Sequence, residues 1–178
     1  MSEKYPTHNP WLEIPLDDYE KHMSHGSVGQ LSLLNSLTKK YLSKIKPATC
    51  VFIGIAGGNG LEHIDNKISK RVIGIDINQD YLDATFKRYH VKIRSLELLK
   101  LDVSKHTVKI CNSDFIWAGL IMEYIGIDTC LEFSRNNLSA GGHLIVTIQL
   151  NNNLKSVSPT GIESVKKAGL IFKDIDPD

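Results

Sequence analysis

The segment CVFIGIAGGNG, residues 50–60, joins a short apolar run to a turn that is rich in glycine. The run from Cys50 to Ile55 has the length and β-branched content of a strand that is buried on both faces. The turn that follows contains Gly57, Gly58 and Gly60. Because a missing side chain lets a ligand approach the backbone closely, we expect residues 50–60 to form a strand that leads into a ligand-binding loop.

Similar apolar runs alternate with helical patterns over the rest of the chain. The sequence predicts further strands at residues 72–75, 96–101, 115–118 and 143–150, and helices at residues 27–45, 61–68, 78–89, 127–138 and 160–168. Strands and helices that alternate through short connections form a parallel sheet with helices on both faces. We therefore predict an α/β fold with a doubly wound, mostly parallel sheet.

Acidic residues stand where two of the predicted strands end. Asp76 follows the second strand and Asp102 follows the third. In an open parallel sheet, ligands bind beyond the carboxyl ends of the strands. A carboxylate at the first position can accept hydrogen bonds from ribose hydroxyls, and one at the second can accept a hydrogen bond from an adenine amino group. Together with the glycine turn, these acids outline an adenosine site.

Over roughly residues 48–150, these segments resemble the class I S-adenosylmethionine-dependent methyltransferases, whose fold is Rossmann-like. The resemblance lies in the strand and glycine loop, the acid after the second strand, and three further segments: Leu101-Asp102-Val103, DFIWAGLIMEY at residues 114–124, and SAGGHLIVTI at residues 139–148. Two positions depart from the family pattern. Gly54 stands where the family often has an acid, and Ala56 stands where its first glycine is usual.

The resemblance implies S-adenosylmethionine as the cofactor and assigns residues to it. Gly54, Ala56, Gly57, Gly58 and Gly60 would form the loop, Asp76 and Ile77 would hold the ribose, Asp102 and Val103 would flank the adenine, and Ala118 would border the methyl group. Methyl transfer is a direct displacement at the sulfonium carbon, so a general base is needed only if the acceptor must lose a proton. Candidate catalytic residues are His25, Glu123 and Tyr124, with His22 and Tyr19 as further candidates.

The domain organisation is predicted to be simple. Residues 1–46 would form an N-terminal arm and a helix that cap the cofactor site, and residues 47–178 would form the methyltransferase core. Residues 1–26 look irregular because three prolines interrupt them, and residues 19–30 are expected to close over the cofactor as a lid. A strand hairpin after the fifth strand is expected to be missing: residues 170–172 could form a sixth strand, and residues 176–178 look like the start of another element in a truncated chain.

The composition of the chain limits the classes of partner that it is expected to bind. The formal net charge is +1, so no basic surface for nucleic acid or for an anionic membrane is indicated. The three cysteines are widely spaced, which favours free thiols in a reducing, cytoplasmic setting over disulfides or a zinc site, and no metal site is expected. The acceptor is expected to be a small molecule, and the sequence does not define the oligomeric state.

Other functions remain open beside the methyltransferase. The altered first motif leaves room for a cofactor-binding partner or regulatory domain without activity. An aminopropyl transferase shares the fold, but it would need acidic side chains after the fourth strand, where only Glu123 and Asp128 are near. A dinucleotide oxidoreductase is disfavoured because no G-x-G-x-x-G spacing lies between Gly54 and Gly60.

Overall fold

A computed structural model describes residues 8–105, 108–150 and 157–175. Its strands are β1 (Thr49–Ile53), β2 (Arg71–Asp76), β3 (Leu96–Lys100), β4 (Ser113–Gly119) and β5 (Leu138–Thr147). Its α-helices are α1 (Leu16–Ser24), α2 (Gln30–Ile45), α3 (Gln79–Tyr89), α4 (Met122–Ile125), α5 (Ile127–Asn137) and α6 (Glu163–Lys166). Short 3₁₀ turns occupy Pro10–Leu12, Leu61–His63 and Lys167–Leu170.

The five strands form one parallel sheet in the order β3-β2-β1-β4-β5. The chain leaves β1 toward β2 on one side and later returns to place β4 on the other side. The strand order therefore reverses beside β1, and this is the position at which open α/β sheets bind ligands. The predicted parallel α/β fold is confirmed.

Alternate residues of the central strands face opposite layers of helices. Cys50 and Phe52 pack in one cluster with Leu34 of α2 and Leu82 of α3. Val51 and Ile53 pack on the other face, in a cluster that includes Phe133 of α5. Because both faces of the sheet are covered, the strands read as continuous apolar runs, which is why the sequence located them well.

The helix predicted at residues 61–68 is wrong. One 3₁₀ turn, Leu61–His63, follows the glycine loop, and Ile64 is already extended. The Asp65 side chain accepts a hydrogen bond from the backbone N–H of Lys67 at 2.8 Å, which forms a local turn that competes with helix formation. The glycine loop after β1 is consequently followed by one 3₁₀ turn and not by the α-helix that the sequence predicted.

The N-terminal arm is also more regular than expected. Pro10 opens a 3₁₀ turn and Pro15 is the N-cap of α1, so both prolines stand at helix starts, where their fixed φ suits the backbone. Asp17 and Asp18 lie in the first turn of α1, where carboxylates stabilise the positive end of the helix. The sequence reading had treated the prolines only as interruptions.

The C-terminal region adds no strand within the described residues. Residues 167–170 form a 3₁₀ turn, and Ile171 and Phe172 follow it without pairing, so the possible sixth strand at residues 170–172 is wrong. The expected element at residues 176–178 lies outside the described residues. In the described ranges, none of the helices is long and apolar enough to cross a membrane.

Candidate functional site

A cavity with an empty volume of about 740 Å³, including space open to solvent, lies at the carboxyl edge of the sheet. The exits of four strands line it, at Gly54 after β1, Asp76 and Ile77 at the end of β2, Asp102 after β3, and Gly119 at the end of β4. The cavity is thus where the reversal of strand order predicts a ligand.

The cavity brings together eight of the residues that the sequence proposed for the site. These are Tyr19, Gly54, Ala56, Asp76, Ile77, Asp102, Val103 and Tyr124. The other seven do not line it: His22, His25, Gly57, Gly58, Gly60, Ala118 and Glu123. Ala118 is fully buried against Met122 and Cys130, and the neighbouring Gly119 lines the cavity in its place.

Asp76 joins the loop after β1 to the exit of β2. One carboxylate oxygen accepts a hydrogen bond from the backbone N–H of Ala56 at 2.9 Å, and the other accepts one from Asn78 at 3.0 Å. Burial raises the pKa of this carboxyl, and the backbone hydrogen bonds oppose that rise. A carboxylate can accept about four hydrogen bonds, so Asp76 keeps capacity for hydroxyl donors in the cavity.

Asp102 is more exposed and is held in a local turn. Its carboxylate accepts hydrogen bonds from the backbone N–H of Ser104 at 3.0 Å and pairs with Lys105 at 3.0 Å. Burial on its own would raise the pKa of Asp102, but the hydrogen bonds from Ser104 and Lys105 outweigh it and hold the pKa below its ordinary value. Asp102 therefore stays ionised at the edge of the cavity.

The glycines of the loop make room for the protein's own side chains. A Cβ at Gly60 would lie 2.7–3.0 Å from atoms of Thr38 in α2, and one at Gly58 would lie 2.7 Å from the ring of Tyr89 in α3. A Cβ at Gly57 would overlap the side chains of Glu20 and Arg88. Close packing of the loop against the helices explains these three glycines without a ligand.

Two residues without the freedom of glycine adopt left-handed backbone conformations beside the cavity. Ala56 has φ 47° and Leu120 has φ 53°, and both line the cavity. Such conformations strain residues that carry a Cβ, and strained residues concentrate at functional sites. At Ala56 the strain places the N–H where Asp76 accepts it and the carbonyl where the hydroxyl of Thr85 donates to it at 2.7 Å.

The N-terminal arm forms the roof of the cavity. Asn9, Trp11 and Tyr19 line it from above. The carbonyl of Trp11 accepts a hydrogen bond from the Asn78 side chain at 2.9 Å, and the Tyr81 hydroxyl donates to the carbonyl of Ile14 at 2.9 Å. The arm is therefore attached to the start of α3 rather than extended into solvent.

A second, smaller cavity, with an empty volume of about 460 Å³, adjoins the first. Tyr19, Gly54, Ala56 and Gly119 line both cavities, and Glu20 lines the second. The Arg88 side chain donates to Glu20 at 2.9 Å and to the carbonyl of Gly57 at 3.0 Å. This ion pair holds α1 over the glycine loop, and it places a carboxylate beside the position where Gly54 lacks one.

The three residues predicted to be catalytic occupy different environments. His25 is exposed at the end of α1 and hydrogen-bonds Ser27 at 2.8 Å, away from the cavity. Tyr124 lines the cavity, but burial raises the pKa of its phenol, which therefore stays protonated near neutral pH. Glu123 is fully buried and accepts a hydrogen bond from the backbone N–H of Gln149 at 2.6 Å. His22 is buried and bonds Thr160, again outside the cavity.

Glu123 should make stability depend on pH. Burial raises the pKa of its carboxyl, so the folded chain holds a proton that the unfolded chain has released. The stabilisation from this proton is complete below the pKa that Glu123 has in the unfolded chain. It is lost as pH rises through the pKa that Glu123 has in the folded chain. We expect the free energy of unfolding to fall by at most about 1.4 kcal/mol per pH unit in that window.

Urea unfolding at a series of pH values measures the effect. The difference in unfolding free energy between the natural chain and Glu123→Gln should shift with pH in the direction given. Glu163→Gln, at a glutamate whose side chain is 78% exposed, provides the matched control and should show no such shift. Parallel pH profiles for the natural chain and Glu123→Gln would contradict the expectation.

Sequence reasoning missed part of the lining. Asn9, Trp11 and Tyr81 were not assigned to the site, yet all three line the larger cavity. A signal was present in the arm: Asn9-Pro10 is a helix start, and the Asn9 side chain accepts a hydrogen bond from the N–H of Trp11 at 3.1 Å. The sequence around Tyr81 does not indicate a site residue, because the contact of Tyr81 with the arm depends on Ile14, which is distant in sequence.

The order and parallel direction of the five strands match a Rossmann-like methyltransferase fold. The chain is similar to the N-methyltransferase NodS from Bradyrhizobium japonicum WM9, solved in complex with S-adenosyl-L-homocysteine, with TM-score 0.58 and 16% identity over 78% of this chain and 72% of NodS. It is also similar to the plantazolicin methyltransferase BpumL in complex with S-adenosylhomocysteine, with TM-score 0.62 and 18% identity over 92% of this chain and 64% of BpumL.

The fold also occurs in a protein with a different description. A precorrin 8w decarboxylase from Methanobacterium thermoautotrophicum aligns with TM-score 0.53 and 21% identity over 75% of this chain and 71% of that chain. Neither a protein-family model nor a curated protein sequence matches the chain. At these identities the likeness shows the fold, and the reaction has to be argued from the site.

Proposed function

We propose that this protein is an S-adenosylmethionine-dependent methyltransferase that acts on a small-molecule acceptor. The observation that carries the proposal is Asp76, a buried carboxylate with spare acceptor capacity at the end of β2, inside a cavity at the reversal point of a methyltransferase fold. The structures of NodS and BpumL with S-adenosylhomocysteine support the choice of cofactor. The roofed cavity favours a small acceptor over a macromolecule.

The residues present fit the adenosine part of this cofactor. Asp76 would accept the ribose hydroxyls, while Asp102 would accept the adenine amino group and Val103 would pack against the ring. The Trp11 side chain also supports a polar ligand here. Trp11 lines the cavity, and its indole N–H is buried without a hydrogen-bond partner among the described residues. A buried donor without a partner is costly, and an acceptor on a ligand would remove that cost.

The amino-acid end of the cofactor would lie toward the second cavity. Glu20 supplies a carboxylate there that can accept from an ammonium group, and Arg88 supplies a cation beside it. In this way the arm replaces the acid that Gly54 does not provide. Gly57, which lines the second cavity, would then contribute by letting Glu20 and Arg88 lie against the loop.

The chain's contribution to methyl transfer would be to position the reactants and to exclude water. The cofactor supplies an electrophilic methyl group on a sulfonium, and the acceptor's lone pair forms the new bond as the sulfur keeps the electron pair of the old one. The arm, which lines the cavity, would cover the bound reactants, and Gly119 would leave space beside them because it has no side chain. Burial raises the pKa of Tyr19, Tyr81 and Tyr124, so these phenols act as hydrogen-bond donors and not as bases near neutral pH.

A binding domain without activity is the second candidate. The departures of Gly54 and Ala56 from the family's first motif favour it, because an altered loop could bind the cofactor without supporting transfer. An aminopropyl transferase is no longer supported, because neither acidic residue after β4 lines the larger cavity. Glu123 is buried and Asp128 is exposed outside it. Three free cysteines, Cys50, Cys111 and Cys130, support a reducing cytoplasmic setting as part of the proposal.

Transfer and binding assays separate the candidates. The natural chain should bind S-adenosylhomocysteine in a calorimetric titration, and it should transfer the labelled methyl group of S-adenosylmethionine to a member of a panel of small amines, phenols, thiols and carboxylates. Binding without transfer to any panel member would favour the inactive domain. Absence of binding to either form of the cofactor would overturn both candidates.

A further inference from the structure

Three aromatic side chains enclose one end of the larger cavity. Trp11 lies edge to face with Tyr19, with ring centroids 5.6 Å apart and planes at 81°, and edge to face with Tyr124, at 5.0 Å and 89°. All three line the cavity. The plane of Trp11 is thus nearly perpendicular to both tyrosine rings, so the three rings form an aromatic box.

The position of the aromatic box relative to the sheet is fixed by packing. Tyr19 stacks on Tyr81 of α3, at 6.2 Å and 29°, which places it above the exit of β2. Tyr124 lies in α4, directly after β4, and packs edge to face with Phe172 at 5.7 Å. The box therefore reaches from Tyr19, which packs on α3 after β2, to Tyr124 in α4 after β4, and Tyr19 also lines the second cavity.

The charge of the lining matches a cation. Asp76 contributes negative charge, as does Asp102, whose charge Lys105 partly offsets from outside the lining. None of the described residues that line the larger cavity is a lysine, an arginine or a histidine. Aromatic rings attract a cation through their quadrupole, and the attraction is larger when the site is desolvated. A neutral ligand gains nothing from this arrangement beyond ordinary packing.

We propose that the aromatic box of Trp11, Tyr19 and Tyr124 binds the positively charged sulfonium of the cofactor, so that the site selects S-adenosylmethionine over its neutral product S-adenosylhomocysteine. This inference rests on the proposed function, because it assumes that the cavity holds this cofactor. Once the methyl group has left, the sulfur is an uncharged sulfide and the box loses its attraction for it. The box therefore favours exchange of product for fresh cofactor.

The two ligands differ by one methyl group and one charge, so the ratio of their affinities measures the effect. For the natural chain, calorimetric titration should give S-adenosylmethionine the tighter binding, by about 2- to 30-fold, which is the range that cation–π attraction supplies. In Trp11→Leu, which keeps an apolar wall without the ring, the ratio should fall toward one. Tyr124→Leu should lower the ratio in the same direction and serves as the second variant if Trp11→Leu does not fold.

A control variant tests whether loss of apolar volume alone changes the ratio of affinities. Ile125→Ala removes apolar volume from the same cavity without removing a ring, so it should weaken both ligands alike and leave the ratio unchanged. Equal affinities in the natural chain, or a ratio that both leucine variants leave intact, would overturn the inference while the proposed function stands. Binding of neither ligand by the natural chain would instead remove the proposed function itself.

Discussion

Replacing Asp76 with alanine is expected to weaken binding of S-adenosylhomocysteine by about 10- to 100-fold. Hydrogen bonds to a charged acceptor contribute about 1.5–3 kcal/mol, and the variant removes the acceptor for both ribose hydroxyls. Calorimetric titration at constant pH measures the change.

Asp76 also holds the loop after β1, so loss of affinity could arise from the loop alone. Thr85→Val separates the two causes, because the Thr85 hydroxyl holds the carbonyl of Ala56 from the other side and Thr85 does not line the larger cavity. This control should bind S-adenosylhomocysteine nearly as well as the natural chain. An equal loss in both variants, or no loss in Asp76→Ala, would remove Asp76 from the ribose site.

The raised pKa of Asp76 gives this contact a pH dependence of known sign. Hydroxyl donors prefer the ionised carboxylate, so affinity should be highest above the pKa of Asp76 and should fall as pH is lowered through it. Asp76→Asn, which cannot ionise, should show weaker binding that is flat over the same pH range.

Replacing Gly60 with alanine is expected to destabilise the chain by about 2–5 kcal/mol. Gly60 has φ 93°, which strains any residue with a Cβ by about 1–2 kcal/mol, and the added methyl group would overlap Thr38 at a further cost of about 1–3 kcal/mol. Gly141→Ala is the matched control: Gly141 has φ 79°, but nothing lies within 4 Å of its added Cβ. It should lose only the strain contribution.

Urea unfolding of the two variants tests how the glycine loop is used. A clear excess loss in Gly60→Ala would show that the loop needs glycine for contact with α2. Equal losses in the two variants would mean that Thr38 shifts at little cost, and the packing explanation for this glycine would fail.

The sequence predicted the parts of the site that depend on strands. Buried parallel strands are apolar throughout, so their ends can be located, and Asp76 and Asp102 stand at those ends. The carboxyl edge of the sheet then places both acids in one cavity, as the structure shows. The predicted role of Asp76 in ribose binding stays a prediction.

The sequence could not predict what depends on contacts between distant segments. The glycines look the same whether a ligand or Thr38 occupies the space beside them. The Asp65 turn ended a helix that apolar spacing had indicated. Glu123 looked like a site residue because it follows β4, but the direction of a side chain after a strand depends on the short helix α4 and on Gln149, far along the chain.

The roof of the cavity joins the two ends of the chain. Asp18 accepts a hydrogen bond from Ser164 at 2.6 Å, across 146 residues, and His22 contacts Thr160 at 2.8 Å, across 138 residues. Contacts of such long sequence separation carry a large loop-closure entropy and tend to form late in folding. On the ribosome, these contacts cannot form until residues 160–164 have emerged. The sheet, its acidic edge and the contacts of the arm with α3 can form earlier, so the attachment of α1 to residues 160–164 is the last support that the roof acquires.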